Sequence, residues 1–186
     1  MERRISLWLM PSTEYFELLQ ARIRALAKEC NAQVFEPHVT VWSGLGIEVT
    51  CRNLIGRAIS GVGSITLQVE KIDFSPEFFK TLFIVFRSNS VLSRLSERFR
   101  TLWEKPSAYE LKPHLSLIYK HMSRNEQQRL ALGIELPWRQ IEFDWIKAMS
   151  TPPDDQAARD VTSWRSIFSA NLQVEASLPG STDITL

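Results

Sequence analysis

The sequence predicts an α+β fold in which one pattern of strands and helices occurs twice. Three observations carry this. Several short runs alternate apolar residues with period two, the segment from Thr13 to Cys30 repeats them at three and four, and one frame recurs as "PHVTV" (37–41) and "PHLSL" (113–117). His38 and His114, at the same position of that frame, lie 76 residues apart, and they are two of only three histidines in the chain. A chain of 186 residues, 44% hydrophobic, is long enough to bury a substantial core.

The elements follow in order. Residues 4–9, "RISLWL", place Ile5, Leu7 and Leu9 on one face of a half-buried strand, which Pro11 and Ser12 end. From Thr13 to Cys30 a helix buries Phe16, Leu19, Ile23 and Leu26 and turns Glu17, Gln20 and Arg24 outward. The first histidine strand comes next, then a helix over about 50–60 that "GVG" terminates. "SITLQVEKIDF" (64–74) alternates as a strand, and "TLFIVF" (81–86) is apolar enough for an interior one.

A third helix runs from about Asn89 to Trp103 on Leu92, Leu95, Phe99 and Leu102. After the second histidine strand, Ser123 and Glu126 form a capping box for a short helix. "RQIEFDWIKAM" (139–149) and "SWRSIFSANL" (163–172) read as closing strands, with "STPPDDQAARD" between them as a solvated loop. No linker divides the chain, so residues 1–178 are expected to form one domain and 179–186 a frayed tail.

Composition excludes several classes of function. A formal net charge of +1 with scattered charges lacks the basic stripe of a protein that holds long nucleic acid or a membrane surface. No apolar run is long enough to span a bilayer, and the apolar stretch near the N-terminus is too short for a signal peptide, so a soluble, cytoplasmic protein is expected. Cys30 and Cys51 have neither disulfide-framework nor zinc spacing and read as reduced thiols. A small-molecule substrate and a monomeric chain are the expectations.

Within each frame, residues two apart share a strand face, so His38 with Thr40 and His114 with Ser116 point opposite to Val39, Val41, Leu115 and Leu117. Pro37 and Pro113 restrict the backbone just before each strand. Facing copies would enclose two imidazoles, able to act as general acid and base near neutral pH, and two hydroxyls able to donate to anionic oxygens. That set suits a cyclic phosphodiester, whose leaving alkoxide needs a proton and whose attacking water must lose one. One frame alone would more readily be an ordinary strand; two copies in matching context reverse that reading. A zinc site would need three or four ligands, and His121, the remaining histidine, reads as a solvated loop residue, so neither metal nor cofactor is expected.

The paired "HVTV" and "HLSL" match the H-x-[ST]-x signature of the 2H phosphoesterase superfamily. The surrounding "SLWLMPS", "FEPHVTVWSGL", "FFKTLFIVF", "LKPHLSLIYK" and "SWRSIFSANL" resemble, in order and spacing, its cyclic phosphodiesterase branch known from plants and yeast. The resemblance implies a bilobal fold: two antiparallel-rich sheets with outer helices around a central cleft, related by a pseudo-two-fold repeat. It makes His38 and His114 the acid–base pair, in an order it does not fix, and Thr40 and Ser116 the donors to phosphate oxygens.

Tyr119 matches a tyrosine that helps hold the attacking water in that branch, although its five-residue offset from His114 would turn it away from the cleft in an unbroken strand. Phe78 and Phe79 match an aromatic pair at the substrate entrance, with core packing the alternative for one of them. Lys80 and Lys112 could attract phosphate. The implied activity is hydrolysis of a nucleoside 2′,3′-cyclic phosphate or an ADP-ribose 1″,2″-cyclic phosphate to a monophosphate. The competing readings are an enzyme acting on RNA ends, similar to the 2′-5′ RNA ligase-like phosphodiesterases, and a module that binds a cyclic phosphate without turnover.

Overall fold

The alternating runs become seven antiparallel strands in the computed structural model, which describes residues 3–46, 48–103 and 107–172. The expected tail, 179–186, lies outside the described residues. In chain order the strands are β1 (Arg3–Pro11), β2 (Val39–Gly46), β3 (Ile65–Phe74), β4 (Leu82–Phe86), β5 (His114–Ile118), β6 (Gln140–Thr151) and β7 (Arg165–Asn171). The helices are α1 (Thr13–Cys30), α2 (Glu48–Ile59), α3 (Ser90–Leu102), α4 (Arg124–Gly133) and the single turn α5 (Asp155–Ala158).

The strand order β1-β2-β5-β4-β3-β6-β7, with β1 also paired to β6, makes two lobes of one continuous sheet. One lobe is β2-β1-β6-β7 and the other β5-β4-β3. They meet in two places: β3 pairs with the first residues of β6, from Ile65 opposite Phe143 to Gln68 opposite Gln140, and β2 meets β5 through the pair Val39–Leu115 alone. The two expected sheets are thus joined, and the two histidine strands touch near their starts, the first residue of β2 against the second of β5.

β6 is the spine of the first lobe rather than a closing strand, with β1 along one edge and β3 followed by β7 along the other. β1 accordingly buries both faces. Ile5, Leu7 and Leu9 enter the main core with Leu19, Ile23, Val39, Val41, Leu115 and Leu117, while Trp8 and Met10 pack with Met149 on the other side.

Local signals explain the helix boundaries. α1 ends where Asn31 takes a left-handed conformation (φ 49°), its N–H donating to the Ala27 carbonyl; asparagine tolerates that region. Asn89 caps α3 by accepting from the Leu92 N–H, and the Ser123–Glu126 capping box forms as expected. Gln20 departs from the expected outward position: it is buried, and its side-chain amide donates to the Phe35 carbonyl at 2.9 Å, tying α1 to the segment before His38. Phe16 is only half buried, at the margin of the smaller core.

The segment between β6 and β7 is also more ordered than a plain loop, because Asp154 caps α5 by accepting from the Ala157 N–H. No disulfide joins the cysteines, and burial raises both thiol pKa values, that of Cys51 to about 11. Among the described residues no helix is long and apolar enough to cross a membrane.

Candidate active site

The single pair Val39–Leu115 fixes the geometry of both motifs. Because β2 and β5 are antiparallel there, one step to either side sets His38 across from Ser116 and Thr40 across from His114. All four residues line one cavity of about 520 Å³. The buried aliphatics Val39, Val41, Leu115 and Leu117 hold this edge from behind, as the alternation requires.

Each imidazole is oriented by the same local device. His38 Nδ1 lies 2.6 Å from the Glu36 carbonyl and His114 Nδ1 lies 2.6 Å from the Lys112 carbonyl, in each case across the intervening proline. A carbonyl can only accept, so each Nδ1 carries its hydrogen and each Nε2 is left to exchange a proton. The two sites then diverge. His38 is only 7% exposed, stacked on Trp8 at 3.6 Å and 9°, with Phe35 edge-on. His114 is half-buried, with Phe83 at its edge.

Burial pushes the His38 pKa down to about 3, with lesser contributions in the same direction from His114 and Lys147. Burial also lowers that of His114; Lys80 adds to the effect, while the Lys112 carbonyl and Glu77 oppose it.

The hydroxyls differ as well. Ser116 Oγ donates to the Phe79 carbonyl at 2.7 Å and is hydrogen-bonded to the Tyr119 phenol. Thr40 is held through its backbone, its carbonyl accepting from the Tyr109 hydroxyl at 2.7 Å. Burial raises the pKa of both phenols, so each stays a neutral donor.

A family model for cyclic phosphodiesterase-like proteins matches residues 1–136, a stretch that contains both motifs. The chain belongs to the cyclic phosphodiesterase-like family. Comparison with curated protein sequences gives no match. Among solved structures, E. coli LigT complexed with phosphate is similar over 91% of this chain and 97% of its own, with 12% identity and a TM-score of 0.57. E. coli LigT complexed with 3′-AMP covers 92% and 99%, with 12% identity and a TM-score of 0.60. TT0787 of Thermus thermophilus covers 93% and 100%, with 14% identity and a TM-score of 0.59. At these identities the likeness is one of fold: the α+β architecture of this cyclic phosphodiesterase-like chain is that of the 2H phosphoesterases.

Of the three aromatic candidates, Tyr119 and Phe79 line the cavity and Phe78 does not. Tyr119 lines the cavity, because β5 carries a bulge: Phe83 pairs with Ser116 but Leu82 with Ile118, so Leu117 is an extra residue. Leu117 and Ile118 are therefore both in the core, and the following residue returns to the cleft. β2 has the same bulge at Val41, since Trp8 pairs with Thr40 and Leu7 with Trp42; Ser43 returns to the cavity five residues after His38, as Tyr119 does after His114. Phe79 lines the cavity, whereas Phe78 packs behind it, edge-on to Phe79 at 5.1 Å and covered by Arg159. Lys80 is at the cavity wall, while Lys112 is exposed beside Glu110 and His121 is exposed against Phe78.

Sequence reasoning passed over Trp8, Tyr109, Trp164 and the Glu36–Lys147 ion pair (2.5 Å), which ties the backbone that orients His38 to β6. The signal for Trp8 was present. The alternation that sends Ile5, Leu7 and Leu9 one way sends Ser6 and Trp8 the other.

Proposed function

We propose that this chain opens a cyclic phosphodiester, a nucleoside 2′,3′-cyclic phosphate or a related cyclic sugar phosphate, to a phosphomonoester. The observation that carries the reading is the pair of imidazoles at one cavity, each pinned through Nδ1 and leaving Nε2 for proton transfer. The water oxygen bonds to phosphorus as the phosphorus–alkoxide bond breaks. One histidine takes the water proton and the other protonates the departing oxygen. The Thr40 hydroxyl and, once it releases the Phe79 carbonyl, that of Ser116 donate to the non-bridging oxygens.

The difference between the sites supports one order of the two roles. A base must begin neutral, and His38, with its pKa pushed to about 3, is neutral across the working range. His114, more open to the cavity, is the acid. Its free-enzyme pKa is nonetheless lowered by burial. As kcat/KM reports the free enzyme, it should fall as pH rises through a value below 6.5, the ordinary imidazole pKa. The acid-side decline should come only near pH 3.

Turnover of a nucleoside 2′,3′-cyclic phosphate across pH 4–8, with EDTA present, tests the reading. No turnover would end it, and a rate that rose steadily to pH 8 would overturn the need for a protonated imidazole. Thr40→Ala should lower kcat/KM by about ten- to a hundredfold, with most of the loss in kcat, because a donor aimed at developing charge acts mainly in the transition state. Unchanged kinetics would leave Thr40 a structural residue.

A further inference from the structure

The two histidines are oriented by the same local device, but only one of the orienting residues is itself anchored. Residues 32–38 belong to no strand or helix, so the carbonyl that fixes His38 lies in a segment without a ladder of its own. Lys112, whose carbonyl does the same for His114, projects a side chain 71% exposed beside the open Glu110. Glu36 instead pairs at 2.5 Å with Lys147, whose side chain is only 14% exposed.

Strand register places Lys147 behind the site. On β1, Trp8 stands opposite Thr40 of β2 and opposite Lys147 of β6, and directly opposed residues share a sheet face. Lys147 is thus beside the ring that carries His38, on the side away from Thr40. The chain crosses β1 from there: the Glu36 carboxylate reaches β6, His38 lies on Trp8, and Val39 enters β2. The ammonium is also close enough to His38 to disfavour an imidazolium, which suits a group that must begin neutral.

Glu36 is partly exposed, so its ion pair adds little to stability. Its effect is on direction. Pro37 fixes the torsion that follows the Glu36 carbonyl, which leaves the ψ of Glu36 to aim that carbonyl within the extended range allowed before a proline. A carboxylate held at β6 restrains that torsion. We propose that Lys147 is a positioning residue for His38: by holding the Glu36 carboxylate it fixes the carbonyl that accepts from Nδ1, and so the aim of Nε2 at the attacking water. This rests on the ring-opening reading above and adds to it a residue outside the cavity.

The test pairs kinetics on adenosine 2′,3′-cyclic phosphate with ¹⁵N spectra of the imidazoles. Lys147→Met and Glu36→Ala should each lower kcat about tenfold, as a small misplacement of a reacting group does, with KM within about twofold of wild type. Tm should move by no more than about a few degrees, since a partly exposed ion pair is lost. The double variant should be no slower than either single one, because the two residues act as a unit. Lys147→Arg keeps a cation that can reach the carboxylate and should recover most of kcat. In the wild type the His38 hydrogen sits on Nδ1; in Lys147→Met and Glu36→Ala both tautomers should appear at His38, with His114 unchanged. Should Lys147→Met fold poorly, Glu36→Ala, on the more open side of the pair, decides. Unchanged kcat in the single variants, or a His38 tautomer that neither of them alters, overturns the positioning role while the ring-opening reading stands. A wild type that opens no cyclic phosphate overturns that reading, and the His38 spectra then judge the positioning role alone.

Discussion

Alanine at His38 or at His114 is expected to lower turnover at least about a hundredfold, the lower end of what a positioned proton-transfer group contributes. Neither loss can be made good by the remaining imidazole. Each ring is held by the carbonyl two residues before it, so His114 cannot swing to the water side or His38 to the leaving-group side without breaking that bond. The double variant should be little worse than either single one, because groups that act in one concerted transfer are far from additive.

His38 is also packed, so its removal could act through the fold. His38→Gln keeps more of the volume beneath Trp8, and His114→Gln alters a half-open position. Circular dichroism should show all four variants folded under assay conditions. A folded variant of either histidine with turnover within tenfold of wild type would sink the two-histidine reading, since a missing general acid or base costs more than that.

Much of this site was legible because strand alternation is short-ranged. The frame "PHVTV" sends its histidine and threonine one way and its valines the other wherever the strand lies, and the buried Val39 and Val41 show that outcome. Thr13–Cys30 was legible for a similar reason, as its apolar stripe is long and its end is set by Asn31. What could not be read depends on pairing. The bulges at Val41 and Leu117 come from mismatched register with β1 and β4, and nothing in "HVTVWSG" or "HLSLIYK" alone marks the extra residue. Parity counted through them puts Tyr119 on the wrong face. Gln20 misled for a related reason: on the helix it is a polar residue, and only the Phe35 carbonyl packed over it makes its burial favourable.

Trp8→Ala is expected to be the most destabilising single change near the site and to lower turnover as well. Trp8 is 4% exposed, fills the smaller core with Met10 and Met149, and contacts Trp164 edge-on at 5.5 Å. Truncating so large a buried ring costs about 3–5 kcal/mol through lost burial and the cavity left behind. For a chain of this length that corresponds to a fall in Tm on the order of ten degrees. The functional loss has a separate origin. With its flat support gone, His38 keeps only the Glu36 hydrogen bond and the Phe35 edge, so the ring can tilt about Nδ1 and misplace Nε2. A misplacement of that kind lowers kcat, as proton transfer needs hydrogen-bond reach.

Leu9→Ala separates the two effects. Leu9 is fully buried one residue further along β1, but on the opposite face, in the main core and away from the cavity. It should lower Tm by a comparable amount and, assayed well below its Tm, retain near-normal kcat. Trp8→Phe keeps an aromatic face and should recover much of the turnover lost in Trp8→Ala even if it recovers less of the stability. Equal kcat losses in Leu9→Ala and Trp8→Ala, or no recovery in Trp8→Phe, would mean that Trp8 serves the core alone and that His38 is held by its backbone carbonyl without the stack.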